Sequence, residues 1–276
     1  MSNTTIIVYD ESCPLCAAYT SAFVQTGLLQ KEGRQSFSTL SPELLELMDL
    51  KKSVNEIPLI DLEKKQVWYG IDALLEILGQ KLPFIKRIGN ISPIKWCLQK
   101  AYKLISYNRR VIVAGNQHVG NVDCTPDFNI PYRVLFMSLF LVINTWLLFP
   151  LHQYLLSTSL LQTTSIRQLQ WAHITVVGVN ILVACILGKK SGIEYLGQVN
   201  MLASITLLLC VPLMLINQSP YLQSNPFNNF YFGMLTLFMI NEYTRRMKFV
   251  HINPPFLWVK MANYLTITLF FLYLIL

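Results

Sequence analysis

Acidic side chains nearly disappear after residue 133. Residues 134–276 hold two of them, Glu194 and Glu242, beside seven Lys/Arg, whereas residues 1–133 hold 13 Asp/Glu and 15 Lys/Arg. Over the whole chain 13% of residues are charged and 53% are apolar, against about 25% charged in a soluble domain. The shortage excludes a second soluble domain in the C-terminal half. It points to a soluble domain over residues 1–128 followed by a membrane domain over residues 129–276.

Other absences narrow the function. No run interleaves aromatic and basic residues on a strand pattern, so a nucleic-acid partner is not expected. The N-terminus lacks a basic stretch, and its apolar run, Ile6-Ile7-Val8-Tyr9, is short against the roughly 7–15 residues of a secretory leader, so no leader is expected. The six cysteines do not form a secreted disulfide framework, and Cys185 and Cys210 lie in apolar segments as packing residues. A zinc site would have to combine Cys13, Cys16, Cys97, Cys124 and His118, whose second half lacks tight ligand spacing, so no metal is expected. No histidine pair is placed to hold haem across two spans, and no cofactor is expected.

Long apolar runs, in contrast, are plentiful. Five follow Pro131, at roughly 134–156, 171–188, 199–217, 228–242 and 256–276, most approaching the roughly 20 residues that cross a bilayer. The fourth is the weakest, opened by Asn228-Asn229 and closed by Asn241-Glu242. Lys189-Lys190 fall between the second and third runs, and Arg245, Arg246 and Lys248 between the fourth and fifth. Because cytoplasmic loops are enriched in Lys/Arg, we expect a multi-pass inner (plasma) membrane protein with about five spans, a cytoplasmic N-terminus and an outside C-terminus. Asn144, His173, Asn180, Asn200, Asn241 and Glu242 are the polar residues within the runs. They read either as functional groups or as hydrogen bonds between helices.

The soluble half carries the chemistry. Cys13-Pro14-Leu15-Cys16 follows directly on the strand-like run ending at Tyr9. Two residues between cysteines let both sulfurs meet across one helical turn, and a helix opening at Cys13 would favour its thiolate through unpaired N–H groups and the macrodipole. In a reducing cytosol such a pair is catalytic, redox-sensing or metal-binding rather than a structural disulfide. Further on, Ser41-Pro42 starts a short helix to about 49, residues 56–62 and 67–69 read as a hairpin, and a helix follows at about 72–79, with Asp72 as N-cap and Gly79 past its end. Ser92-Pro93 starts another helix to about Tyr107.

The order of strand, Cys-x-x-Cys helix, helix, Pro-bearing strand, strand and helix resembles the thioredoxin fold, short of one strand. The expected fold class is therefore an α/β thioredoxin-like N-terminal domain plus an all-α transmembrane bundle. Ile57-Pro58 sits where thioredoxin-like proteins keep a cis proline facing the cysteines. The resemblance implies that these two residues bind an extended substrate, though an edge-strand or turn proline fits the sequence as well.

Asp10-x-x-Cys13-x-x-Cys16 also resembles the name-giving motif of the DCC family of thiol–disulfide oxidoreductases. So do Tyr69-Gly70-Ile71-Asp72-Ala73-Leu74-Leu75, Tyr102-x-x-Ile105-x-x-Asn108-Arg109 and Cys124, and the likeness covers about residues 4–128. The chain departs from that family at Glu11, where Gly usually follows the Asp. The resemblance implies Cys13 as attacking thiol and Cys16 as resolving thiol. Asp10 reads either as a proton acceptor for the resolving thiol or as a residue bonding backbone N–H groups where the helix begins. Arg109 reads mainly as half of a salt bridge or a contact to a lipid headgroup.

From Lys81 to Arg110 the chain has eight Lys/Arg and no acid. In the helix that starts at Ser92, Ile94, Cys97, Leu98, Ala101, Leu104 and Ile105 fall at helical spacing, with Lys95, Lys100 and Lys103 elsewhere. Such a helix rests either on the lipid bilayer, its lysines at anionic headgroups, or against the sheet. The expected function is a membrane-anchored thiol–disulfide oxidoreductase working on a cytosolic or membrane thiol protein. The rival is a non-enzymatic subunit of a membrane complex, lipid-binding, with the N-terminal domain as an interaction module.

Overall fold

The computed structural model describes residues 5–114, 125–156, 164–218, 225–248, 250 and 256–275. The chain divides into two compact units, Met1–Arg133 and Val134–Leu276, a boundary slightly beyond the one read at residue 128.

The N-terminal unit is built on a mixed four-stranded sheet of order β2-β1-β3-β4. β1 (Thr5–Tyr9) is central. It pairs parallel with β2 (Arg34–Ser36) and antiparallel with β3 (Pro58–Asp61), which continues as a hairpin into β4 (Gln66–Tyr69). Side chains alternate across a strand, so Ile6 and Val8 enter one core with Phe37, Leu40, Met48 and Ile60. Ile7 enters the other with Leu29, Ile57, Leu59, Ala73 and Ile77. Two faces are thus buried, which explains why β1 reads as an unbroken apolar run rather than an alternating one.

The second core is covered by α1 (Pro14–Gln25) and α4 (Gly70–Lys81). α1 stops at Gly27, whose φ of +66° suits glycine, and the N–H of Leu28 reaches back to the carbonyl of Phe23 at 2.8 Å. The first core is closed by α2 (Pro42–Glu46) and the residues around it, with α3 (Leu50–Ser53) after them. α5 (Pro83–Gly89) and α6 (Ser92–Ile112) both pack against α4 and against each other.

Three local expectations are corrected. β2 was not foreseen: Arg34-Gln35-Ser36 has no apolar alternation to betray a strand. α4 begins at Gly70 rather than after Asp72, and it runs through Gly79 to Lys81. α6 extends to Ile112, beyond Tyr107.

The C-terminal unit is helical, comprising α7 (Ile130–Tyr154), α8 (Ile166–Leu187), α9 (Lys189–Ile216), α10 (Asn225–Met247) and α11 (Phe256–Ile275). Among the described residues, three of these, α7, α8 and α9, are long and apolar enough to cross a membrane, with mean hydropathies of 2.1, 1.8 and 2.3. Lys189-Lys190, expected in a loop, form the first turn of α9, separated from α8 only by Gly188 at φ +83°.

Several polar side chains flagged in the apolar runs bond from helix to helix. Asn144 donates to the Asn200 side chain at 3.0 Å, and Asn200 donates to the carbonyl of Met137 at 2.8 Å. Tyr195 donates to Asn180, while Asn263 donates to the hydroxyls of Tyr195 and Tyr243 at 2.7 and 3.0 Å, so that one network joins α8, α9, α10 and α11. Glu242 accepts from both Arg245 and Arg246, and Arg246 donates to Gln198 at 2.9 Å.

Candidate active site

The two cysteines occupy the junction of β1 and α1. Cys13 is the N-cap of the helix, with extended backbone (φ −99°, ψ 103°), Pro14 is the first helical residue, and Cys16 lies one turn in. A serine or aspartate at an N-cap offers an oxygen to the free amides of the first turn. Here the sulfur does so, and the Cys16 N–H donates to Cys13 Sγ at 3.3 Å. Both cysteines are free thiols, and both are buried, 2% and 5% exposed.

Asp10 shapes the approach to this helix. Its Oδ1 accepts from the amide and the hydroxyl of Ser12, at 2.9 and 2.6 Å, and its backbone carbonyl accepts from the Cys13 N–H at 3.2 Å. Its Oδ2 lies 3.7 Å from Arg109 Nη2, and both side chains are buried. Of the two readings open for Asp10, this geometry displays the backbone-binding one. Glu11, the departure from the family pattern, costs nothing in backbone terms: among the described residues Lys65 is the only non-glycine with positive φ.

The sequence reads Arg109 mainly as half of a salt bridge or a lipid contact; the structure gives it the salt bridge, to Asp10, and sets it beside the thiols as well. It stands on the inner face of α6, where Tyr102, Ser106 and Arg109 recur at spacings of four and three. Each of them meets the segment before β3. The N–H of Ile57 donates to the Tyr102 hydroxyl at 2.9 Å, Ser106 donates to the carbonyl of Asn55, and Arg109 donates to the carbonyl of Val54 at 3.1 Å. This spacing is visible in the sequence, but the apolar residues mark another side of the helix. On that side Cys97, Ala101 and Ile105 are exposed.

The electrostatics separate the two thiols. Cys13 is lowered from the ordinary 9.0 to about 7. A hydrogen bond from the Cys16 thiol contributes most, the Arg109 guanidinium and the Cys16 amide add to it, and burial and the Asp10 carboxylate oppose it. A thiol at about 7 is about half ionised at pH 7, against about 1% for one at 9.0. Cys16 is pushed far up, because it donates to Cys13 and is buried beside that negative charge. Arg109 stays charged: burial works against the guanidinium, but the paired thiols of Cys16 and Cys13, which share one negative charge, and the Asp10 carboxylate outweigh it. The arrangement is chemically a nucleophile beside a protonated reserve thiol.

Residues 7–114 match the family model of the DCC1-like thiol-disulfide oxidoreductases. The match covers under half of the chain and includes both cysteines and Arg109. No curated protein and no solved structure matches the chain. Within the matched residues the motif stretches have physical jobs. Gly70, with φ +58°, is pressed between neighbours: a Cβ there would fall 3.1 Å from the Tyr102 ring and 3.2 Å from the Glu56 carboxylate. Asp72 binds Lys95 at 2.7 Å, Ala73 and Leu75 are buried, and Asn108 bonds the carbonyls of Leu104 and Tyr132.

The other site residues read from the sequence lie as follows. Ile57 is buried, and both of its backbone groups are engaged, the N–H with Tyr102 and the carbonyl with the N–H of Gly70 at 2.9 Å. The Ile57–Pro58 bond is trans, since no cis peptide occurs among the described residues, and Pro58 opens β3 opposite Tyr69. Lys95 and Lys103 turn to acids of their own domain, Asp72 at 2.7 Å and Glu56 at 3.8 Å, whereas Lys100 lies over the Trp96 ring at 5.7 Å. Among the described residues no three His, Cys, Asp or Glu side chains gather as a metal cluster. His118 and Cys124 lie outside those residues.

Proposed function

We propose that the protein is a membrane-anchored thiol–disulfide oxidoreductase whose Cys13–Cys16 pair works on a thiol protein in the cytosol or at the membrane. The observation that carries this reading is the sulfur at the N-cap of α1, fed by the Cys16 N–H and thiol and flanked by buried Arg109. The strand–helix–strand unit followed by a hairpin and helix supports a thioredoxin-like domain.

In the reaction, the Cys13 thiolate attacks one sulfur of a partner disulfide. A Cys13–partner bond forms, the partner S–S bond breaks, and the partner's second sulfur leaves as a thiolate. Cys16 then gives its proton to that leaving thiolate and attacks Cys13, closing the Cys13–Cys16 disulfide and freeing the partner's first sulfur. Two electrons pass to the partner, and the reverse sequence returns them. Arg109 holds the Cys13 anion, while Asp10 fixes the guanidinium and the turn. Because Cys13 is 2% exposed, the Asp10–Pro14 turn must be uncovered before a partner can dock.

The reading takes α7 to α11 as five spans, and the placing of charge supports a cytoplasmic N-terminus. Lys189 and Lys190 start α9, Arg245 and Arg246 end α10, and the bond from Arg246 to Gln198 of α9 supports one basic end of the bundle. The test is a trap. Cys16→Ser in cells should accumulate mixed disulfides through Cys13, and Cys13→Ser should abolish them.

The burial of both thiols favours a second reading, in which the domain is an interaction module of a membrane complex. A phenotype that survives loss of both cysteines but not loss of the helices would select it.

A further inference from the structure

The sequence places basic residues on α6 at the bilayer, but the structure redistributes them. Lys86 is bound to Glu76 at 2.6 Å and Lys95 to Asp72 at 2.7 Å, so these two charges are neutralised within the domain. What remains outward is a different set. On α5, Lys86 and Gly89 face inward to α4, where a Cβ on Gly89 would strike Leu75. Phe84, Arg87, Ile88 and Ile91, at spacings of three, one and three, are left exposed, Phe84 by 58%. On α6, Tyr102, Ser106 and Arg109 are committed inward, leaving Trp96 61% exposed with exposed Lys100 beside its ring.

A soluble surface rarely presents such a group of large apolar side chains unless something covers it. The geometry points to an anionic phospholipid surface as the occupant, with Phe84, Ile88, Ile91 and Trp96 entering the headgroup boundary and Arg87 and Lys100 meeting lipid phosphates. Two observations choose lipid. Arg87 and Lys100, both exposed, stand among these apolar groups and are the charge complement of an anionic leaflet. The same chain continues into helices apolar enough to span, so a bilayer lies within reach of the domain at all times. Aromatic and basic residues side by side are the composition that interfacial helices use. The proposal rests on the membrane-spanning reading and adds a second, peripheral contact to it.

Cys97, exposed next to Trp96, is a built-in reporter. The full chain is reconstituted in nanodiscs of phosphatidylcholine alone or of phosphatidylcholine with phosphatidylglycerol. The rate at which a neutral polyethylene-glycol maleimide modifies Cys97 is then mapped by peptide mass spectrometry. Glu46→Cys, exposed on α2 at the opposite face of the sheet, serves as the internal standard. The expected result is a rate at Cys97 about tenfold lower in the anionic nanodiscs, restored by Arg87→Glu with Lys100→Glu, with no change at residue 46. Equal rates in the two nanodiscs overturn the proposal. So does protection already present in detergent, which would mean that protein covers the face, either this chain's own helices or a second copy. Failure of the chain to enter nanodiscs at all would instead sink the spanning reading, so the two failures are distinguishable.

Discussion

Cys16→Ala and Cys16→Ser should part company in a way that tests the whole site. The largest single contribution to the acidity of Cys13 is the hydrogen bond that the Cys16 side chain gives it. A hydrogen bond to a charged acceptor is worth about 1.5–3 kcal/mol, and one pH unit of titration corresponds to about 1.36 kcal/mol. Removing the donor with alanine should therefore raise the Cys13 midpoint from about 7 to about 8–9. At pH 7 its thiolate fraction drops from about one half to between about 1% and 10%, so alkylation slows about 5- to 50-fold. Serine keeps an O–H donor in the same place, so its midpoint should stay near that of the parent. The assay is the pH profile of iodoacetamide incorporation into the Cys13 peptide, with the reduced full chain in detergent. Coincident profiles for the two variants would refute the hydrogen-bond account. A parent midpoint near 9 would refute the acidic Cys13 itself. The practical corollary is that serine, not alanine, is the variant with which to trap partners.

Arg109→Gln removes a cation that favours the reduced, ionised pair, so the disulfide becomes relatively more stable. The reduction potential should move to more negative values by about 30 mV for each 1.4 kcal/mol lost, read by equilibration with glutathione buffers, and an unchanged potential would contradict the charge argument. Gly70→Ala forces a side chain into the left-handed region and against Tyr102; it should cost about 1–2 kcal/mol or more, seen as a lower thermal midpoint of the full chain in detergent. Asn263→Leu breaks the bonds to Tyr195 and Tyr243 and should loosen α11 by about 1 kcal/mol, with faster proteolysis in detergent as the readout; parent-like resistance would argue against the network.

How far the sequence could be read depended on whether each signal was local. The strand before Cys13, the helix opening at Cys13 and the hairpin ahead of α4 are all set by neighbours within a few residues, and each is legible. β2 was not, because a three-residue edge strand of Arg, Gln and Ser takes its conformation from pairing with β1 and has no pattern of its own. The inward face of α6 was misjudged for a related reason. Apolar spacing is the usual guide to burial, but this helix buries a polar row that binds the backbone of residues 54–57. Only the fold reveals that those carbonyls and that N–H lie opposite it. The proximity of Arg109 to Asp10, 99 positions away in the chain, is likewise a product of topology.

That polar row also decides where the thiol-bearing unit stops. A fragment ended just after α4 would retain every strand of the sheet and both sulfurs. It would nevertheless lack the guanidinium that faces Asp10 and the hydroxyls that hold residues 55–57, so its thiols would titrate in a different environment from those of the native chain. Biochemistry done on such a piece would report on thiols missing their counter-ion.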